Sequence, residues 1–165
     1  MIYQGQVNVK YNFEGREFVK TIHNEGLSTL FKFFMNSIVG YYDDNARPRY
    51  IDLGYKESVD DTSYKSILNN ILPITSTALS QLNSSGTNNW TALLTARLQS
   101  FNISEVSKNN SNEKPKYIFL LDSNSNILAQ ISISEDQAII DSLLNIPNDQ
   151  QILLEWQMCI KNKGD

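Results

Sequence analysis

Trp90-Thr91-Ala92-Leu93-Leu94-Thr95-Ala96-Arg97-Leu98-Gln99 decides the fold class of this chain. Trp90, Ala92, Leu94, Ala96 and Leu98 alternate with Thr91, Leu93, Thr95, Arg97 and Gln99, and a period of two is the signature of a pleated strand with one buried face. Its apolar face is continuous enough to expect a strand central in its sheet. The same period recurs at both ends of the chain. At the start, Tyr3, Gly5, Val7, Val9 and Tyr11 alternate with Gln4, Gln6, Asn8 and Lys10. At the end, Ile152, Leu154, Trp156, Met158 and Ile160 alternate with residues that include Glu155, Gln157 and Lys161.

Between these strands the punctuation is that of hairpins. Asn12-Phe13-Glu14-Gly15 supplies a turn, and Glu17 to His23 reads as the returning strand. Tyr117–Leu121 and Ile127–Ile133 flank Asp122-Ser123-Asn124-Ser125-Asn126 as a second hairpin, because Asx and Ser side chains bond their own turn backbone. Arg49 to Tyr55 forms another strand. Ile67 to Leu82 stays open: Ile67, Leu68, Ile71 and Leu72 fit helical spacing, whereas Pro73 favours extended chain from there on.

Two helices are expected. Leu27, Leu30, Phe31, Phe34, Met35 and Ile38 recur at spacings of three and four and end before Gly40, which describes an amphipathic helix near the N-terminus. Ser134 with Gln137 resembles a capping box and opens a short helix through Ala138, Ile139, Leu143 and Leu144 before the last strand. Lys56–Tyr64 and Ser104–Pro115 read as polar loops whose conformation depends on a partner. The expected architecture is a single domain over residues 1–165: mainly β, an antiparallel, jelly-roll-like β-sandwich with these two helices.

Composition narrows the function. The chain has 165 residues, 41% of them hydrophobic and 19% charged, with a net charge of −4, enough for one core and no basic surface for nucleic acid. A single cysteine, Cys159, excludes an internal disulfide framework and a cysteine-based zinc site. No apolar run reaches the roughly 18 residues of a membrane span, and the N-terminus lacks the form of a secretory signal.

Candidate chemistry is sparse. His23, the only histidine, has no marked nucleophile or orienting carboxylate, and Cys159 has no second histidine to activate a thiolate. Asp43-Asp44-Asn45 lacks the ligand spacing and distant Glu of a calcium loop. Asp60-Asp61 and Glu135-Asp136 are sequence neighbours in polar segments, the latter suited to a helix start. Trp90 and Trp156 point inward by their alternation. The expectation is a protein without catalytic residues, cofactor or metal. Tyr41, Tyr42, Tyr50 and Tyr55 are the candidate partner contacts, since tyrosine supplies area and a hydrogen bond at low entropy cost.

The order of motifs adds a resemblance. Asn24-Glu25-Gly26-Leu27 precedes a helix ending at Gly40, then come Arg49-Tyr50-Ile51-Asp52-Leu53-Gly54 and Asn89-Trp90-Thr91-Ala92-Leu93-Leu94-Thr95-Ala96-Arg97. Tyr117-Ile118-Phe119-Leu120-Leu121-Asp122, Asn126-Ile127-Leu128-Ala129-Gln130-Ile131 and Leu153-Leu154-Glu155-Trp156-Gln157-Met158 complete it. This order resembles a family of tailed-bacteriophage virion proteins found in tail, baseplate and fibre-attachment components. Lys116-Tyr117-Ile118 stands where that pattern has a Glu and a Gly before Leu-Phe. The resemblance implies a virion structural adaptor, made in the host bacterial cytoplasm, that partners other virion proteins and copies of itself. A carbohydrate-binding β-sandwich is the alternative from another class.

Overall fold

A computed structural model describes residues 2–13, 16–25, 48–58, 61, 63–84, 87–110 and 112–161, with side chains described over 48–58, 61, 63–78, 93–110 and 112–157. The expected helix from Leu27 to Gly40 lies outside the described residues. So do Tyr41, Tyr42 and Asp43-Asp44-Asn45.

Two antiparallel sheets carry the chain. In the first, β1 (Ile2–Phe13), β2 (Arg16–Glu25), β6 (Ser76–Ser84), β7 (Thr87–Gln99) and β10 (Gln151–Lys161) lie in the order β2-β1-β10-β7-β6. In the second, β3 (Tyr50–Tyr55), β4 (Lys65–Ser66), β8 (Tyr117–Leu121) and β9 (Ile127–Ser132) lie in the order β4-β3-β8-β9, and β5 (Leu72–Pro73) also pairs with β3. The central position in the first sheet belongs to β10; β7 sits beside it, an interior strand.

The registers explain the alternation. Ile152, Leu154 and Trp156 stand opposite Leu98, Ala96 and Leu94, and all six are buried. In the second sheet Ile51 and Leu53 stand opposite Leu120 and Ile118, again all buried. These residues of both sheets belong to one apolar cluster, so the two sheets contribute to a common core. A short helix adds Ile139, Ile140, Leu143 and Leu144 to the same cluster.

That helix, Gln137–Leu144, is where the sequence places one, but its cap differs. Asp136, not Ser134, is the N-cap, its carboxylate accepting the Ile139 amide at 3.2 Å. A carboxylate suits the position because it meets both the unpaired amides and the positive end of the dipole. Ser104–Pro115 is not loop throughout: α1 (Glu105–Asn109) begins at Ser104, whose Oγ accepts the Ser107 amide at 3.2 Å. The helix before the last strand is therefore α2.

Ile67 to Leu72, open on sequence alone, is not helical. The Ile67 amide donates to Leu53 O, the Ser104 amide to Ile67 O and the Asn69 amide to Asn102 O, each at 2.9 Å. Ile67 and Leu68 are thereby fixed as apolar plugs in the shared cluster. The turn at Asp122 follows the expected chemistry: Asp122 Oδ1 accepts the amides of Asn124 and Asn126 at 2.9 and 2.8 Å, and Ser125 takes a φ of 63°. Such a left-handed residue is tolerated because the Asp122 side chain secures the turn around it.

Leu154 is fully buried in the central strand of the first sheet. Leu154→Ala should lower unfolding free energy by about 2–5 kcal/mol, measured by urea denaturation, because little can collapse into the space from a paired strand.

Candidate functional site

The expected contact tyrosines that the structure describes sit at the two ends of β3. Tyr50 and Tyr55 are both half-buried, and Tyr55 packs on the apolar cluster. More of the unusual chemistry lies between them. A strand with one wet face would expose Asp52, yet Ile51, Asp52 and Leu53 are each 0% exposed. Ile51 and Leu53 enter the apolar cluster; Asp52 faces the other side of the sheet.

Burial of that side comes from the segment after β3. Tyr64 donates its hydroxyl to Asp52 Oδ2 at 2.6 Å, and Ser66 donates to Asp52 Oδ1 at 2.7 Å. The Leu53 amide, the third donor to this carboxylate, also bonds Oδ1, at 2.8 Å. The Tyr64 ring stacks on Phe119, with centroids 4.1 Å apart, and Phe119 is the register partner of Asp52 on β8. Tyr117 tilts against Phe119 at 5.7 Å, and Lys56 Nζ lies 5.8 Å from its centroid. Lys56 also donates to Asp61 O at 2.7 Å, while Asp61 Oδ2 accepts the Ser58 amide at 3.0 Å. Residues 56–58, 61 and 63–66 thus belong to a strap across the outer face of the second sheet.

Gly54 makes room for it. A Cβ there would collide with the Lys65 carbonyl oxygen and come within 2.9 Å of Tyr64 Cδ2. The backbone of β4 can approach β3, and the Tyr64 ring can cross toward Phe119, only because this position has no side chain.

Electrostatics follow from the same burial. Desolvation raises the Asp52 pKa above its usual 3.8 and outweighs the opposing hydrogen bonds from Tyr64, Ser66 and the Leu53 amide. The Tyr64 pKa is pushed well above its ordinary value, first by burial, then by its hydrogen bond to Asp52 and by that carboxylate's charge. Tyr64 therefore remains a donor at neutral pH. A carboxylate can take about four hydrogen bonds, and three donors already converge on this one. The arrangement is suited to holding the strap.

The other sequence candidates are dispersed. His23 lies on edge strand β2 opposite Gln6, and Cys159 lies on β10 between Gln4 and Thr91. Asp60 is outside the described residues, and Asp61 is exposed and tied to Ser58. Glu135 is exposed beside the α2 cap. Trp156 points into the core, as its alternation suggests, with no exposed surface. No group of three His, Cys, Asp or Glu that could hold a metal ion occurs among the described residues. Nor is any helix there long and apolar enough to cross a membrane.

Sequence reasoning missed Asp52, Tyr64, Ser66 and Phe119 as a unit. The available signal was Gly54 directly after an apolar strand core, which marks a close backbone approach. It also missed Phe101 and Val106, whose side chains are 69% and 60% exposed on the segment Ser100–Asn109.

Compared with known proteins, the chain matches no family model, no curated protein and no solved structure.

Two measurements test the strap. Gly54→Ala should destabilise the fold by about 1–3 kcal/mol in urea denaturation, because backbone atoms cannot yield to the added carbon as a flexible side-chain end could. The second concerns pH. A carboxyl whose folded pKa exceeds its unfolded value binds more protons when folded, so its contribution to stability declines as pH rises from about 4 to its raised folded value. Asp52→Asn should lack that slope when unfolding is followed at a series of pH values from about 4 to 7.

Proposed function

We propose that this chain is a non-enzymatic structural subunit of a tailed-bacteriophage particle, an adaptor or accessory protein of its tail, baseplate, connector or head-fibre assembly. Within that proposal its two sheets constitute a jelly-roll-like antiparallel β-sandwich. The order of strand and turn motifs from Asn24 to Met158 carries the reading.

Three properties of the molecule support it. Asp52, the carboxylate whose proton affinity burial raises, directs its acceptors to Tyr64, Ser66 and a backbone amide, which is the chemistry of a structural lock. Phe101 and Val106 expose large apolar surface on a segment anchored by buried Ile103 and Ser107, as suits a contact that another subunit covers. The half-buried ring of Tyr50 adds a polar-tipped aromatic of the kind enriched at interfaces. An assembly multiplies such modest patches into firm attachment through its symmetry.

The test is incorporation. Particles purified on a density gradient should contain the chain at constant stoichiometry by quantitative mass spectrometry. A Phe101→Ser, Val106→Ser chain should enter them at least about tenfold less, given the weight of apolar anchors at interfaces, while its circular dichroism stays unchanged. A chain absent from particles and retained on glycan columns would instead be a carbohydrate-binding module.

A further inference from the structure

The second sheet buries side chains in two separate places. Ile51, Leu53, Ile118 and Leu120 enter the core shared with the first sheet. Phe119 has no exposed surface either, yet it stands outside that core, on the outer face with its register partner Asp52. Tyr64 lies over it, with ring centroids 4.1 Å apart. This cover is thinly attached. β4 is a ladder of two residue pairs, Gly54↔Ser66 and Tyr55↔Lys65, and its side-chain anchors are the Tyr64 and Ser66 hydroxyls on Asp52. Lys65 and Ser66 are exposed, and Tyr64 is half-buried.

The chain is tied to the core on either side of the strap. Before it, Tyr55 packs on the apolar cluster; after it, Ile67 has no exposed surface, donates its amide to Leu53 O and accepts the Ser104 amide. The bonds from Lys56 Nζ to Asp61 O and from the Ser58 amide to Asp61 Oδ2 lie within the strap itself. Lifting Tyr64, Lys65 and Ser66 therefore breaks a short ladder, one ring stack and two hydroxyl bonds, and withdraws no member of the shared core. Segments with so few buried apolar contacts open at a free energy well below that of global unfolding.

We propose that Tyr64–Ser66 is a proton-linked latch, which lifts from the outer face of the second sheet while both sheets stay folded and is held down when Asp52 carries a proton. Docked, Asp52 has no exposed surface, and its partners are the uncharged donors Tyr64, Ser66 and the Leu53 amide. The other titratable groups around it are Tyr50 and Lys56, which alternation along β3 sets on the same side, and Tyr117 on β8. The strap adds Glu57, Asp61 and Lys65, and β9 adds none. Among the described residues none of these six pairs with Asp52; Lys56 Nζ turns instead to Asp61 O and the Phe119 ring. Undocked, the carboxyl returns to water. Burial favours its uncharged form, so the docked pKa is the higher of the two and docking takes up a proton. The latch is held most firmly below about pH 4, and its hold weakens as pH climbs through the raised docked value. With the latch up, Phe119 and Asp52 meet solvent and the β3 ladder is free at Gly54 and Tyr55.

Amide hydrogen exchange on the whole chain, corrected for the intrinsic effect of pH, tests the latch from about pH 4 to 7. The ladder amides of β4 should exchange at least about tenfold faster than those of β8 and β10 throughout. Their corrected rate should rise at least about threefold across that range in the wild-type chain and stay level in Asp52→Asn. Tyr64→Phe keeps the ring over Phe119 and removes a donor that lowers the Asp52 pKa, so it should steepen the rise. This second variant decides the outcome if Asp52→Asn does not fold. Equal protection of β4, β8 and β10 overturns the inference, because the segment then leaves only with the whole fold. So does a β4 rate that is level in the wild-type chain, that still rises in Asp52→Asn, or whose rise Tyr64→Phe leaves unchanged.

Discussion

The last strand of the chain is the first sheet's central strand. β10 lies between β1 and β7, so the opening residues of the described chain reach the rest of that sheet only through its closing ones. Its registers with both neighbours are continuous, Ile2↔Lys161 to Tyr11↔Ile152 on one side and Gln151↔Gln99 to Lys161↔Asn89 on the other. The antiparallel pairs β1–β2 and β6–β7 join segments that are near neighbours in sequence, so each closes at little entropic cost, but a two-stranded pair alone is only marginally stable. Insertion of β10 joins them and brings Ile152, Leu154 and Trp156 into the cluster shared with the second sheet. A central strand that pairs residues as distant in sequence as Ile2 and Lys161 gives high contact order, a topology associated with slow folding.

The second sheet solves a different problem. Its inner face is served by the common core, but its strands are short, and a short sheet with a bare outer face is weakly held. The strap supplies the missing layer. Asp52 anchors it through Tyr64 and Ser66, Phe119 provides the surface on which the Tyr64 ring lies, and Gly54 leaves the gap it crosses. Burying a carboxylate is costly, and here three donors offset only part of the lost hydration, so that removing one leaves the buried group worse served still. The result is a sheet covered on both faces at its centre.

Much of this architecture was legible in the sequence, for a local reason. A pleated backbone sends successive side chains to opposite faces, so the alternation from Trp90 to Leu98 and from Ile152 to Ile160 declares a strand whatever its neighbours. Turn chemistry is equally local: Asp122 bonds amides two and four residues ahead of it, and its hairpin could be read directly. The shift of the α2 cap from Ser134 to Asp136 is a small local error, since both residues can cap and only the backbone path decides which one meets the free amides.

Tertiary structure alone decided the rest. Asp52 reads as the wet face of a strand because its neighbours in sequence are apolar, and its burial depends on Tyr64, Ser66 and Phe119, twelve, fourteen and 67 residues away. Lys56 to Tyr64 reads as a free loop because its polarity is visible and its anchor is not. That Phe101 and Val106 stay exposed was decided only by the folded chain. The sequence by itself determined that the fold is mainly β with antiparallel sheets and placed most of its long strands, but not β6, which falls in the stretch it left open. Which strands became neighbours and which carboxylate was buried were decided by long-range pairing, because those outcomes depend on groups that meet only once the chain has folded.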